Sequence, residues 1–258
     1  MHPMLTIAKR AAFAAGTLIQ NRFEQLNRIS IQEKSPNNFV SEVDVGAEQI
    51  IVQTIQESFP EHLIIGEEGT HSGSEHSEYR WVIDPIDGTT NFIKGLPHFA
   101  ISIAIYKNNK LEAGLVYQPI SDEMFCAARG QGATLNDRKI RAGTALPEKA
   151  IITTGFPFKN PELVPKQINC MKKLLSVFPD IRRLGSAALD LCYVACGRVD
   201  GYYEFGVSEW DIAAGVLIAQ ESGVIVSDTD GGLTHLNTGN ILAAPAKVYK
   251  ALVKITKE

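Results

Sequence analysis

The sequence predicts a mixed α/β domain built from two packed halves, and three features of the chain carry that expectation. Helical apolar periods fill the N-terminal stretch, an alternating meander runs from His98 to Ala127, and strand and helix patterns exchange regularly from Ile151 onward. With 258 residues and 45% hydrophobic content the chain can bury a core of its own, which sets disorder aside.

Leu5, Ala8, Ala12, Ala15 and Ile19 recur at the spacing of an amphipathic helix. Lys9-Arg10 ahead of an apolar run superficially fits a secretory leader. That run is short, however, and ends at Gln20-Asn21-Arg22 with no small-x-small cleavage site, so it is read as part of the fold. No other run approaches a membrane span, and a cytoplasmic protein without membrane contact is expected.

Lys34-Ser-Pro36-Asn-Asn38 is polar and turn-rich, and a mobile loop is expected there. A second helix follows over about Ser41 to Phe59, on Val43, Ala47, Ile50, Ile51 and Ile55. Tyr79 to Ile83 reads as a buried strand, stopped by Pro85 because proline has no N–H for a sheet ladder. His98 to Tyr106 and Leu111 to Tyr117 form an antiparallel pair about a turn at Lys107-Asn-Asn-Lys110, and a further strand near Met124 to Ala127 leads to Gly130-Gln-Gly132. That glycine pair lacks the third glycine and the following helix of a dinucleotide fingerprint, and is read as a plain turn.

From Ile151 the order is strand 151–154, helix 161–176, helix 186–196, strand 201–205, helix 211–221, strand 224–227, strand 240–243 and a terminal helix after Pro245. Repeats, low-complexity tracts and long linkers are absent from the sequence. One domain over 1–258 is expected, its halves spanning about 1–145 and 146–258 and packing as one body.

A formal charge of −4 gives no reason to expect a polyanion wrapped over the surface. Arg182-Arg183, Lys172-Lys173 and Arg138-Lys139 read as solvated faces. Cys126, Cys170, Cys192 and Cys196 lack Cys-x-x-Cys or zinc spacing and are expected to be reduced; Cys192 and Cys196, four apart on one helix face, could form a redox pair but fit small buried hydrophobes better.

The chemistry concentrates at Asp84-Pro-Ile-Asp87-Gly-Thr-Thr, where carboxylates at Asp84 and Asp87 flank the end of a strand. Hard cations such as magnesium take several oxygen ligands, and carboxylates on a tight turn can share one ion. Gly88 and Thr89 would offer N–H groups to a phosphate at a helix start. The same residues also fit an ordinary helix cap and turn. Glu67-Glu68 after Leu63-Ile-Ile65-Gly66, and Asp211 opening an apolar helix, place more acid beyond the ends of elements, although surface solvation and first-turn capping account for each alone.

Taken together, Gly66-Glu-Glu68, Trp81-Val-Ile-Asp-Pro-Ile-Asp-Gly-Thr-Thr-Asn-Phe92 and Glu209-Trp-Asp-Ile-Ala-Ala-Gly215 with Glu221-Ser-Gly223 resemble the inositol monophosphatase family over nearly the whole chain. Gly155-Phe-Pro-Phe-Lys159, Gly185-Ser-Ala-Ala-Leu-Asp-Leu191 and Gly197-Arg-Val-Asp-Gly201 are similar to its bacterial branch. Val224 departs from the pattern, in which a second glycine often follows Gly223.

The resemblance implies a layered α/β/α/β/α fold with the site between the halves, and magnesium-dependent, lithium-sensitive hydrolysis of a phosphate ester by metal-activated water. Glu67, Asp84 and the carbonyl of Ile86 would hold one magnesium, and Asp84, Asp87 and Asp211 a second, with Glu67 also helping to hold a third. Asp44 and Thr89 would position and deprotonate the attacking water, Glu68 would orient bound water, and Lys34 would approach the site from its loop. Ser41-x-x-Asp44 equally matches a capping box, and Lys34 equally a solvated lysine. Gly185, Ser186, Ala187 and Glu204 would contact substrate hydroxyls.

The leading substrate is myo-inositol monophosphate. Fructose-1,6-bisphosphatase and adenosine bisphosphate nucleotidase activities share the metal core, but Glu204 would repel a second phosphate. The resemblance further implies a homodimer. Bacterial relatives are also associated with RNA polymerase antitermination and ribosomal RNA synthesis, which adds a binding role as an alternative.

Overall fold

The computed structural model describes residues 2–35 and 38–257, without the side chains of residues 33–35, 38 and 39. The first helix, α1 (Pro3–Phe23), has proline in its first turn, where the missing N–H is not needed, and buries Leu5, Ala8, Ala12, Ala15 and Ile19 as their period predicts. Strands β1 (Ile31–Ser35) and β2 (Asn38–Ser41) pair antiparallel, so Lys34 falls on a strand and not in the expected loop. The Lys34 side chain, and with it the role expected of it, lies outside the described residues. Helix α2 (Glu42–Ser58) follows, started by the Ser41/Asp44 capping box.

The large sheet comprises β3 (Leu63–Gly66), β4 (His71–Ser72), β5 (Tyr79–Asp87), then, after helix α3 (Thr89–Ile93), β6 (Ala100–Lys107), β7 (Lys110–Gln118), β8 (Glu123–Ala128), β9 (Gly132–Leu135) and β10 (Arg138–Lys139). Its order is β10-β9-β8-β7-β6-β5-β3-β4, antiparallel throughout except for the β3–β5 pair. Asn108 and Asn109 make the two-residue β6–β7 turn at φ 47° and 59°, left-handed values that asparagine tolerates.

Pro85 does not end its strand as expected. Asp84 pairs with Ser102 and Asp87 with Ala100, so Pro85 and Ile86 together face Ile101 in an irregular register, and the strand continues to Asp87. A bulge of this kind accommodates a residue without an N–H and redirects the side chains around it. Here those side chains are Asp84 and Asp87.

The second sheet contains β11 (Ile151–Thr154) and, after helix α4 (Val164–Leu174), β12 (Asp180–Arg182); helix α5 (Ala187–Ala195) leads to β13 (Gly201–Glu204) and helix α6 (Glu209–Glu221) to β14 (Ile225–Ser227). Helix α7 (His235–Thr238), β15 (Ile241–Ala244) and helix α8 (Ala246–Thr256) complete the chain. The order is β12-β11-β13-β15-β14, with β11 parallel to both neighbours and the β15 pairs antiparallel.

Alternation along the strands assigns each face to a layer. Trp81, Ile83, Ile101, Ile103 and Ile105 pack with α1 and α2, whereas Val82, Ala100, Ala104 and Tyr106 face α5 and α6. Tyr202 and Ala243 of the small sheet face α5 and α6 from the other side, while Tyr203 and Leu242 pack against Cys170 and Leu174 of α4 and Val248 and Leu252 of α8. The layers are therefore helix, sheet, helix, sheet, helix, as the resemblance implies. Helix α6 is buried along both sides from Ile212 to Ala219 because it lies between two sheets, which explains its nearly unbroken apolar sequence. Gly114 of β7 lets α6 approach closely, since a Cβ there would stand 2.8 Å from the Ala214 carbonyl oxygen.

Cys126, Cys170 and Cys192 are buried, Cys196 is partly buried, and all four are free thiols. Burial pushes Cys170 to about 11 and Cys126 to about 12, which leaves these thiols inert at neutral pH.

Candidate metal centre

The ends of elements from both sheets converge on one pocket. Glu67 follows β3, its N–H donating to the Ile83 carbonyl across the parallel pair. The β5 bulge contributes Asp84, Ile86 and Asp87; Gly88 and Thr89 start α3; Gly185, Ser186 and Ala187 start α5; Glu204 ends β13; and Asp211 sits in the first turn of α6. Gly88, and not Asp87, caps α3, at φ 102°. Asp44 and Glu68 are not among the lining residues: Asp44 touches the pocket through Thr89, and the Glu68 N–H points to Glu48.

One carboxylate oxygen each from Glu67, Asp84 and Asp211 lies within 4.8 Å of the others. Asp84 is buried, and burial first, then Glu67, Asp87 and Asp211, holds its carboxyl well above the usual range. Burial and then Asp211 raise Asp87 as well. Like charges at this separation in a low-dielectric site oppose one another unless a cation sits among them, and an all-oxygen donor set suits a hard divalent ion. The residues thus fit a magnesium-type centre on the chemistry of their donors.

Three of the acids that line the pocket also accept protein hydrogen bonds. Asp84 Oδ1 accepts from the Ile86 N–H at 2.9 Å, and Asp87 Oδ2 accepts from Ser186 Oγ and the Ala188 N–H, both at 2.7 Å. Those bonds tie the start of α5 to the end of β5. Asp211 Oδ2 accepts from the Ser208 N–H at 2.9 Å, so the expected capping role and its place in the cluster coexist. Asp44, outside the cluster, likewise divides its two oxygens between partners. Oδ2 takes the Ser41 N–H and hydroxyl at 2.9 and 2.5 Å, and Oδ1 is 3.0 Å from Thr89 Oγ.

At the far wall Glu204 accepts from Tyr202 Oη at 2.8 Å, and burial raises its carboxyl to about 7. Gly155 faces it closely; a Cβ there would overlap the Glu204 carboxylate.

Three charged lining residues escaped the sequence reading as members of the site. Lys159 Nζ stands 3.9 Å from Glu67 Oε1, and although burial pulls its ammonium down, Asp211, Glu67, Asp84 and Asp87 outweigh that and hold it above its ordinary value. Arg183 faces the pocket, which corrects its reading as part of a solvated pair, and buried Asp190 reaches the same wall from α5. Lys159 closes the Gly155-Phe-Pro-Phe run and Asp190 lies within Gly185-Ser-Ala-Ala-Leu-Asp-Leu191, both noted for their similarity, and that is the sequence signal available; Arg183 carries none in its local sequence.

Arg80 on β5 supports the site from outside and, like Arg183, carries no local sequence signal. Its guanidinium forms two 2.9 Å bonds to Glu209, the first residue of α6, and lies 4.1 Å from the centre of the Tyr106 ring. Arg80→Met is expected to destabilise the protein by about 2 kcal/mol, since Glu209 is left half-buried without its fork. Urea denaturation measures this, and a loss below about 0.5 kcal/mol, the size of an ordinary surface change, would refute it.

The chain matches the model of the inositol monophosphatase family over residues 1–258. Nus factor SuhB of Escherichia coli strain K12 is 49% identical over 254 residues, covering 98% of this chain and 95% of that protein. Nus factor SuhB of Vibrio cholerae is 47% identical, covering 100% and 97%. Among solved structures, the extragenic suppressor protein SuhB of Bartonella henselae superimposes with a TM-score of 0.95 at 36% identity, covering 99% of this chain and 98% of that one. The inositol monophosphatase of Anabaena superimposes with a TM-score of 0.86 at 37% identity, covering 98% and 94%. Matched over its full length by the family model and by relatives near half identity, the chain belongs to the inositol monophosphatase family.

Proposed function

We propose that this chain is a magnesium-dependent phosphomonoesterase acting on myo-inositol monophosphate, with its site between the halves 1–145 and 146–258. The observation that supports this most is the grouping of Glu67, Asp84 and Asp211 oxygens within 4.8 Å of one another, in a pocket that Glu204 also lines. In this reading Glu67, Asp84 and the Ile86 carbonyl hold one ion; Asp84, Asp87 and Asp211 hold a second; and Glu67 helps to hold a third. Bound there, magnesium neutralises phosphate charge and lowers the pKa of the attacking water.

The protein's own groups do the rest. Thr89 has a single hydroxyl proton and faces Asp44 Oδ1 and the Ile86 carbonyl, both at 3.0 Å. With that proton donated inward, the Thr89 Oγ lone pairs point into the pocket, accept from water and orient it; Asp44 takes the proton through Thr89 as the water attacks. Glu68 orients further water in this reading. Gly88 would offer its N–H to the phosphate, and a Cβ there would crowd the Gly185 and His98 carbonyls at 3.0 and 3.1 Å. Gly185, Ser186 and Ala187 border the cyclitol, and Glu204 accepts from its hydroxyls.

Purified protein is expected to release phosphate from inositol 1-phosphate only with magnesium, and to prefer it to glycerol phosphate, fructose bisphosphate and adenosine bisphosphate. Glu204→Gln should reduce the kcat/KM ratio of inositol 1-phosphate to fructose bisphosphate by roughly tenfold, because an acceptor for hydroxyls is weakened and a charge repelling the second phosphate is removed. An unchanged ratio would rule out Glu204 as the selecting group.

A second reading is supported by the name Nus factor carried by the curated relatives. It is a binding role beside RNA polymerase and antitermination factors, and it can coexist with hydrolysis. A homodimer, lithium inhibition and a cytoplasmic location complete the proposal on the family's pattern. Among the described residues no helix is long and apolar enough to cross a membrane.

A further inference from the structure

Glu48 is a buried carboxylate that the proposed chemistry does not use. It follows Asp44 by one turn of α2, so both project from the same helical face. Its oxygens accept from the backbone N–H groups of Glu68 at 2.9 Å and Thr70 at 3.1 Å. Those amides belong to the turn that leaves β3, immediately after Glu67, where the Gly66 N–H also bonds the Thr70 carbonyl at 2.9 Å. Gly66 makes the contact feasible, since a Cβ there would overlap the Glu48 carboxylate. Among the described residues no cationic side chain pairs with Glu48. Among the described residues this buried carboxyl group is met by main-chain donors, at a position where an aliphatic side chain would serve packing without the desolvation cost.

We propose that Glu48 is a positioning residue that sets the cation affinity of the centre by holding the Glu67 turn in register with β5. Asp44 reaches Thr89 beyond the end of β5, and Glu48 reaches the turn beyond the end of β3. Two of the three segments that carry the acidic cluster are therefore referenced to one helix, and Asp211 alone comes from α6. Groups that orient ligands without touching the ion commonly govern affinity in this way. The inference rests on Glu67 holding the cation, as proposed above.

The test is magnesium titration calorimetry on the full chain, with thermal denaturation of each metal-free variant. Glu48→Gln keeps the volume but retains one acceptor for two N–H donors, and Gly66→Ala disrupts the same contact from the other side. Each is expected to weaken magnesium binding by roughly 10- to 100-fold, with kcat recovering at saturating magnesium. Reduced metal-free stability with unchanged affinity in both variants would make the contact merely structural and overturn the inference. Glu67→Gln separates the two levels. If it binds magnesium as the wild type does, the ligand assignment fails and takes this inference with it; if it loses binding while Glu48→Gln and Gly66→Ala keep it, this inference alone fails.

Discussion

Asp84→Asn is expected to abolish magnesium-dependent phosphate release, by roughly a thousandfold or about 4 kcal/mol of transition-state stabilisation, while making the metal-free protein more stable. Both effects come from the same charge. Asp84 is buried at the centre of the cluster, facing Glu67, Asp87 and Asp211. Asparagine has the same volume and keeps Oδ1 as acceptor for the Ile86 N–H, so the β5 bulge is preserved. What disappears is one negative charge in a site where like charges oppose folding, and removing it should contribute about 1–3 kcal/mol of stability. The same charge is what a divalent cation needs. Urea unfolding without metal, together with phosphate release across a magnesium series, reads both halves of the prediction. A variant that is less stable than the wild type, or that remains active, would overturn the reading of Asp84 as the shared ligand. Ordinary core damage lowers stability and activity together, and only a functional site held against its own repulsion moves them in opposite directions.

Most of the layers can be read from periodicity because each helix and strand buries one face. The stripe on α1 and the alternation along β6 appear in the structure as the residues that pack on either side of the large sheet. The end of β5 was misread for a physical reason: a proline rule for regular ladders does not extend to a bulge, and a bulge is where this strand turns its acids inward. Short β12 joins an edge with three residues, too few to show a period. At the site, the two readings of Asp44 do not compete, since one oxygen caps α2 and the other faces Thr89. Lys159, Arg183, Asp190 and Glu48 were missed because their neighbours there come from distant segments, and no local pattern records a contact between α2 and the turn after β3.

The metal-free protein should become more stable as pH falls from about 8 to about 6.5, and magnesium should reverse that slope. The sign follows from the carboxyls. Burial, reinforced by neighbouring acids, raises Asp84, Asp87 and Asp190 well above their ordinary 3.8, and burial raises Glu204 from 4.5 to about 7. A group whose pKa is raised on folding contributes stability that is present below its unfolded value and lost as pH rises through its folded one. Each such group therefore removes up to about 1.4 kcal/mol per pH unit within its window, and Glu204 places one window between 4.5 and about 7. Three buried or partly buried histidines act oppositely. Burial lowers His62, His98 and His235 below 6.5, His98 to about 4, so their contribution is present above 6.5 and lost as pH falls beneath it. The carboxyl slope is accordingly unopposed only above about 6.5, and the histidines flatten or reverse it below. A cation bound among ionised carboxylates competes with protons for the same oxygens, so its affinity rises with pH. Magnesium at about 100 times its dissociation constant should add about 2.7 kcal/mol, and its increment in Tm should be larger at pH 8 than at pH 6.5. Scanning calorimetry at those two pH values, with and without magnesium, decides the matter. A metal-free Tm higher at pH 8, or an increment equal at both, would mean that the cluster is neither raised by mutual repulsion nor relieved by the ion.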